Sequence, residues 1–106
     1  RWLLDTVVEG EAASSVPNGA RAWLEFGEDG RVTGLLGCNR GTGSWSEGPD
    51  GLTLLLATTR MACGGPAGEV ERAMTAVLSR PVKAEVVEQR LTLTGASGAA
   101  LGFSAR

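Results

Sequence analysis

The sequence predicts an α+β fold: one domain built on a strongly curved, barrel-like antiparallel sheet of seven to eight strands, with a single α-helix near residues 66–79. Three observations carry this expectation. Turn-forming residues recur at close intervals and separate short runs in which apolar and polar residues alternate. Only one segment has a helical period. Gly34, Gly43 and Gly102 interrupt strand patterns, where glycine marks a bulge or a tight bend. Strong curvature would account for all three and would shield the edges of the sheet.

Trp2 to Val8 reads as the first strand. Glu9 to Gly19 is small and polar, and it ends in the turn signal Pro17-Asn18-Gly19. Ala22, Leu24 and Phe26 then alternate with Arg21, Trp23 and Glu25, the pattern of a half-buried strand. Gly27-Glu28-Asp29-Gly30 is a hairpin loop, and Val32 to Leu36 returns as the partner strand. Gly37-Cys38-Asn39-Arg40 leads into a strand over Thr42–Ser46. Gly48-Pro49-Asp50-Gly51 turns the chain into Leu52–Leu56, the most apolar strand, which is expected at the centre of the sheet. A loop follows from Thr58 to Gly65.

Val70, Ala73, Met74, Val77 and Leu78 share one helical face. Pro66 suits the first turn, Glu69 and Glu71 the positive end of the helix dipole, and Arg80 the negative end; Pro81 stops the helix. Val82, Ala84 and Val86 alternate with Lys83 and Glu85, Glu88-Gln89 turns, and Leu91–Thr94 and Leu101–Phe103 are the closing strands. Trp2, Trp23 and Trp45 are expected to supply core, with exposed Trp marking a sugar or protein contact as the alternative.

The bulk composition narrows the function. The 106 residues suit one domain over 1–106, and 42% hydrophobic with 21% charged residues marks a globular chain. Ten basic against twelve acidic residues give a net charge of -2, which argues against a nucleic-acid-binding face. Lys83 is the only lysine, so a polybasic membrane patch is not expected. The chain has no His, which removes imidazole triads and imidazole metal sites. Acid–base chemistry would fall to carboxylates or cysteine, and no carboxylate pair has glycosidase-like spacing. Apolar runs are too short to span a membrane, and no signal-peptide pattern is visible. The chain opens at Arg1-Trp2, not at Met, so we read it as a mature or excised domain; membrane association would come through an anchor lying outside it.

Cys38 and Cys63 are the only cysteines, and they lie far apart in sequence. A zinc site would need further ligands, and a Cys-x-x-Cys redox pair is absent, so no metal or cofactor is expected. Both cysteines sit in loops close to an arginine, and two loops at one end of a sheet can meet. A structural disulfide is the leading reading, with two buried free thiols as the alternative. Closing that loop would contribute on the order of 3 kcal/mol. The glycines of Gly37 to Trp45 lead into a strand without the Lys-Ser/Thr pair and helix that phosphate binding requires. Asn39 is expected either to turn left-handed or to bond the backbone. Arg40 and Arg60 together can grip a carboxylate or a sulfate, whereas the plainer reading pairs each with a nearby carboxylate or has it cap loop carbonyls.

With these residues laid out, the chain resembles the META domain family, the HslJ-like heat-shock proteins. The resemblance is carried by Trp2-Leu3-Leu4, by Phe26 to Gly34 leading to Gly37-Cys38-Asn39-Arg40, and by Gly43-Ser44-Trp45. It continues through Leu56 to Cys63, Glu69 and the helix, Leu91-Thr92-Leu93 and Leu101-Gly102-Phe103. Family members often carry an aromatic in the helix where Ala73 or Met74 stands, and a Tyr in the next strand, so the core here is built from smaller residues. The resemblance implies a curved antiparallel domain that is secreted, periplasmic or lipid-anchored, with a stress or envelope role and no catalytic mechanism to transfer. Asn39, Arg40, Thr59 and Arg60 match its motif positions. The expected function is therefore a non-catalytic extracytoplasmic binding or support module contacting a protein or small anionic ligand. A thiol-redox protein or enzyme using Cys38 or Cys63, and a protease-inhibitor-like module, are the alternatives.

Overall fold

A computed structural model describes residues 1–106 and contains nine strands and one helix. Strand β1 (Trp2–Glu9) pairs with β2 (Ala12–Ser15), a short hairpin partner within the segment that its composition marks as small and polar. The others are β3 (Arg21–Phe26), β4 (Arg31–Gly37), β5 (Arg40–Gly48), β6 (Gly51–Thr58), β7 (Lys83–Val87), β8 (Arg90–Thr94) and β9 (Ala100–Ala105). Helix α1 (Gly65–Leu78) lies between β6 and β7. Every pairing is antiparallel. The main path runs β6-β5-β4-β3-β1-β9-β8-β7.

The sheet curls until its two edge strands touch. Leu52 and Val82 exchange both backbone hydrogen bonds, at 2.7 and 2.8 Å, and this one bridge is the seam of the barrel. Gly51, at φ 117, lets the strands come that close, because a Cβ there would run into the Val82 carbonyl. The placement of Leu52–Leu56 at the sheet centre is therefore corrected. β6 is an edge strand. Leu52 and Leu54 face the core, but Leu55 points out and is 68% exposed, so the apolar run reflects one buried face rather than two.

The inward faces of the strands and the apolar stripe of α1 form one core. Leu24, Val32, Leu93, Leu101 and Phe103 meet Val70, Met74, Val77 and Leu78 within it. In β1 both Leu4 and Val7 are buried, a spacing of three that a regular strand would not allow. A bulge between Leu4 and Thr6 resets the phase and turns Asp5 outward. Gly34 and Gly43 are sites of close strand approach: a Cβ at Gly34 would lie 2.7 Å from the Trp23 carbonyl, and one at Gly43 would strike the Leu55 carbonyl.

Pro66 occupies the first turn of α1, as expected, but no acidic residue lies in that turn and no basic residue in the last. The dipole roles assigned to Glu69, Glu71 and Arg80 are thus not realised. Trp2 and Trp45 pack against the core, whereas Trp23 faces outward beneath the Arg1 guanidinium, 3.8 Å from its ring centroid. At the terminal ends of β1 and β9, the Arg106 N–H donates to the Arg1 carbonyl at 2.8 Å.

Candidate functional site

The two cysteine-bearing loops meet at one end of the barrel. The β4–β5 connection carries Cys38 and Asn39, and the β6–α1 connection carries Thr59 to Gly64. Cys38 and Cys63 are joined by a disulfide with Cα atoms 6.4 Å apart. No free thiol is left.

Asn39 is the one buried polar side chain, 3% exposed, and all of its hydrogen-bonding capacity is used inside the fold. Its amide nitrogen donates to the Met61 carbonyl at 3.1 Å and to Glu71 Oε2 at 2.5 Å. Its Oδ1 accepts from the Met61 N–H at 2.7 Å and from the Thr59 hydroxyl at 2.9 Å. Its backbone N–H donates to Glu71 Oε1 at 2.6 Å, and the Cys38 N–H reaches the same oxygen at 3.1 Å. Thr59 Oγ1 also accepts from the Arg40 N–H at 3.1 Å. Of the two roles expected of Asn39, bonding the backbone is the one found. The left-handed position is Gly37 instead, at φ 111.

Glu71 is thus the hub that ties α1 to both loops. Burial would push its carboxyl up, but the Asn39 side chain and the Asn39 and Cys38 N–H groups together hold it below its ordinary value. Sequence reasoning assigned Glu71 to the helix dipole and missed this role. One signal was available: Glu71 sits three residues before Met74 and seven before Leu78, on the border of the apolar stripe, where a carboxylate must find partners.

Arg40 and Arg60 differ from Asn39 and Thr59. Both are exposed, and neither takes part in an ion pair, so the local carboxylate pairing is not found. A groove of about 430 Å³ beside Cys63 is lined by Met61, Gly68, Glu71, Arg72 and Thr75 among others, which adds Arg72 to the cationic groups at this end.

A second polar cluster lies on the outer face of β1, β8 and β9. The bulge presents Asp5 to Arg90, whose two terminal nitrogens each donate to one carboxylate oxygen at 2.9 Å. The Ser104 and Thr6 hydroxyls donate to the same carboxylate. The Arg90 hydrogen bonds, against the effect of burial and aided by those hydroxyls, hold the Asp5 carboxyl well below the usual carboxylate range.

Glu71 and Asp5 give stability a common pH dependence. Each folded-state value is lowered, so the stabilisation is complete above the ordinary carboxylate range of about 4, begins to be lost as pH falls through it, and is gone only below the lowered folded values. The urea midpoint is expected to drop between about pH 5 and about pH 3. Asp5→Asn should flatten part of that slope. A midpoint constant over this range would contradict the assignment.

The fold and the site together define a class: a curled antiparallel barrel with one helix, whose loops are pinned by a disulfide and an Asn–Glu hydrogen-bond hub. The META domain family matches residues 1–106, and the chain belongs to that family. A protein from Burkholderia xenovorans solved by NMR is similar at a TM-score of 0.77 and 28% identity, over 99% of this chain and 80% of that one. A second NMR structure is similar at a TM-score of 0.68 and 28% identity, over 97% of this chain and 86% of the other. No curated protein matches the chain. No helix is long and apolar enough to cross a membrane.

Proposed function

We propose that this chain is a non-catalytic extracytoplasmic binding or support module, acting in a stress- or envelope-related setting, which uses Arg40 and Arg60 to hold an anionic group of its partner. The single observation behind this is the contrast within the motif. Asn39, Thr59 and Glu71 spend their polar groups on fixing the loops, while Arg40 and Arg60 ride on those fixed loops with exposed guanidiniums and no ion pair. Two guanidiniums carried on a fixed backbone can each present a planar fork of donors to a carboxylate or sulfate. The disulfide fits an oxidising compartment, and it leaves no thiolate for nucleophilic or redox chemistry in this state. The stress association rests on the resemblance to HslJ-like proteins.

The test is an NMR titration with sulfate and with a short dicarboxylate, following the Arg side-chain Nε–H signals. Saturable shifts at Arg40 and Arg60 are expected in the low millimolar range. Arg40→Ala/Arg60→Ala should abolish them while keeping the Tm within about 3 °C, because both side chains are exposed. Arg40→Lys/Arg60→Lys keeps the charge and loses the planar fork, so its shifts should weaken without loss of fold. Unchanged binding in the double-Ala variant, or no saturable shift in the parent, defeats the proposal.

A further inference from the structure

The end of the barrel opposite the disulfide carries a different kind of site. There the start of β1, the end of β3, β5 near its end and the start of β6, together with β7 and β8, line a cavity of about 300 Å³. Trp2, Phe26 and Trp45 line it together with apolar residues that include Leu52 and Val86. The chain has five aromatic residues in all, three Trp and two Phe, so this one cavity takes most of them. Phe103 is in the core and Trp23 on the outer face.

The aromatic walls are fixed. Phe26 and Trp45 meet edge to face, with centroids 6.1 Å apart and planes at 78°, and so form a corner. The Trp45 indole N–H donates to the Gly27 carbonyl at 2.9 Å, which locks the ring and uses up its donor. Glu47 is the only charged residue of the lining. It lies two residues after Trp45 on β5, hence on the same face, and it is exposed and takes part in no ion pair.

We infer that this cavity binds a small organic ammonium of the quaternary or methylated type. Such a cation has an apolar coat that fits aromatic walls, a positive charge that their π faces attract, and a counter-charge waiting in the Glu47 carboxylate. Competing ligand classes fit less well. An anion would meet Glu47. A sugar needs several directional hydrogen bonds, and the lining offers one polar side chain. The volume sits at the low end of ligand pockets, which suits a headgroup-sized molecule. The cavity lies at the other end of the strands from Arg40 and Arg60, so its test is independent of theirs.

The three tryptophans make the test direct, because each gives one indole Nε1–H signal. Titration of the ¹⁵N-labelled protein with choline is expected to shift the signals of Trp2 and Trp45 and to leave Trp23 in place. The neutral carbon isostere 3,3-dimethylbutan-1-ol should bind about tenfold more weakly. Glu47→Gln, at an exposed position, should keep the parent Tm and weaken choline about threefold without changing the isostere. Glu47→Lys should abolish choline binding. Phosphatidylcholine vesicles decide the source: co-sedimentation reversed by choline marks a lipid headgroup, and choline shifts without co-sedimentation mark a free solute. The inference is overturned if choline shifts neither Trp2 nor Trp45, if the isostere binds as well as choline, or if Glu47→Gln leaves choline affinity unchanged.

Discussion

Asn39→Leu is expected to lower stability by about 3 kcal/mol, roughly 15 °C in Tm for a domain of this size. The two side chains share the same branching and number of heavy atoms, so no cavity is opened and the main cost is polar. What it removes is the partner of the Met61 N–H, the Met61 carbonyl, the Thr59 hydroxyl and Glu71 Oε2 at once. Partly buried polar groups stripped of partners each cost about 1–3 kcal/mol, eased here by the water that reaches the loop surface. Thermal denaturation of the oxidised protein measures the loss. Thr59→Val removes one hydroxyl from the same hub and should cost about 1 kcal/mol. A near-neutral Asn39→Leu would mean that the disulfide alone holds the loops.

Gly37→Ala should be as damaging for a different reason. The residue sits at φ 111, a conformation that L side chains rarely adopt, and an added Cβ would lie 2.6 Å from the Ala67 carbonyl and 3.0 Å from the Glu71 N–H. Backbone strain of this kind costs about 1–3 kcal/mol before any clash is counted. The helix would have to move away, which draws Glu71 back from the Cys38 and Asn39 N–H groups. We expect a loss of about 3 kcal/mol or more in urea denaturation. Gly48→Ala is the control, because its Cβ would meet nothing within 4 Å and its φ is not positive. It should change stability by less than about 0.5 kcal/mol.

Much of this architecture is legible in local pattern. The alternation of Ala22, Leu24 and Phe26, the turn at Gly27–Gly30 and the stripe from Val70 to Leu78 each predict the element that forms. The misplacement of β6 has a physical cause. Leu52-Thr53-Leu54-Leu55-Leu56 looks buried on both faces, yet only the alternate leucines are, and nothing local shows that Leu55 faces water. Ala12–Ser15 escapes because it has no large apolar residue and pairs only at a hairpin edge. Strand order is a long-range property, and the insertion of β1 between β3 and β9 leaves no mark in either segment. The same holds for the site. Two cysteines and two arginines stand out in the sequence, but the Asn39–Glu71 contact spans 32 residues and has no local signature.

The pairing of the first and last main strands has a mechanical consequence. β1 and β9 are antiparallel neighbours, and their outer ends lie side by side, joined by the Arg106–Arg1 hydrogen bond. Tension applied through both chain ends would therefore meet that ladder end-on and peel it one rung at a time, with no need to shear all its rungs together. A domain loaded in this way opens under low force from one corner. The disulfide-pinned loops, at the far end of the strands, would be the last part to feel the pull.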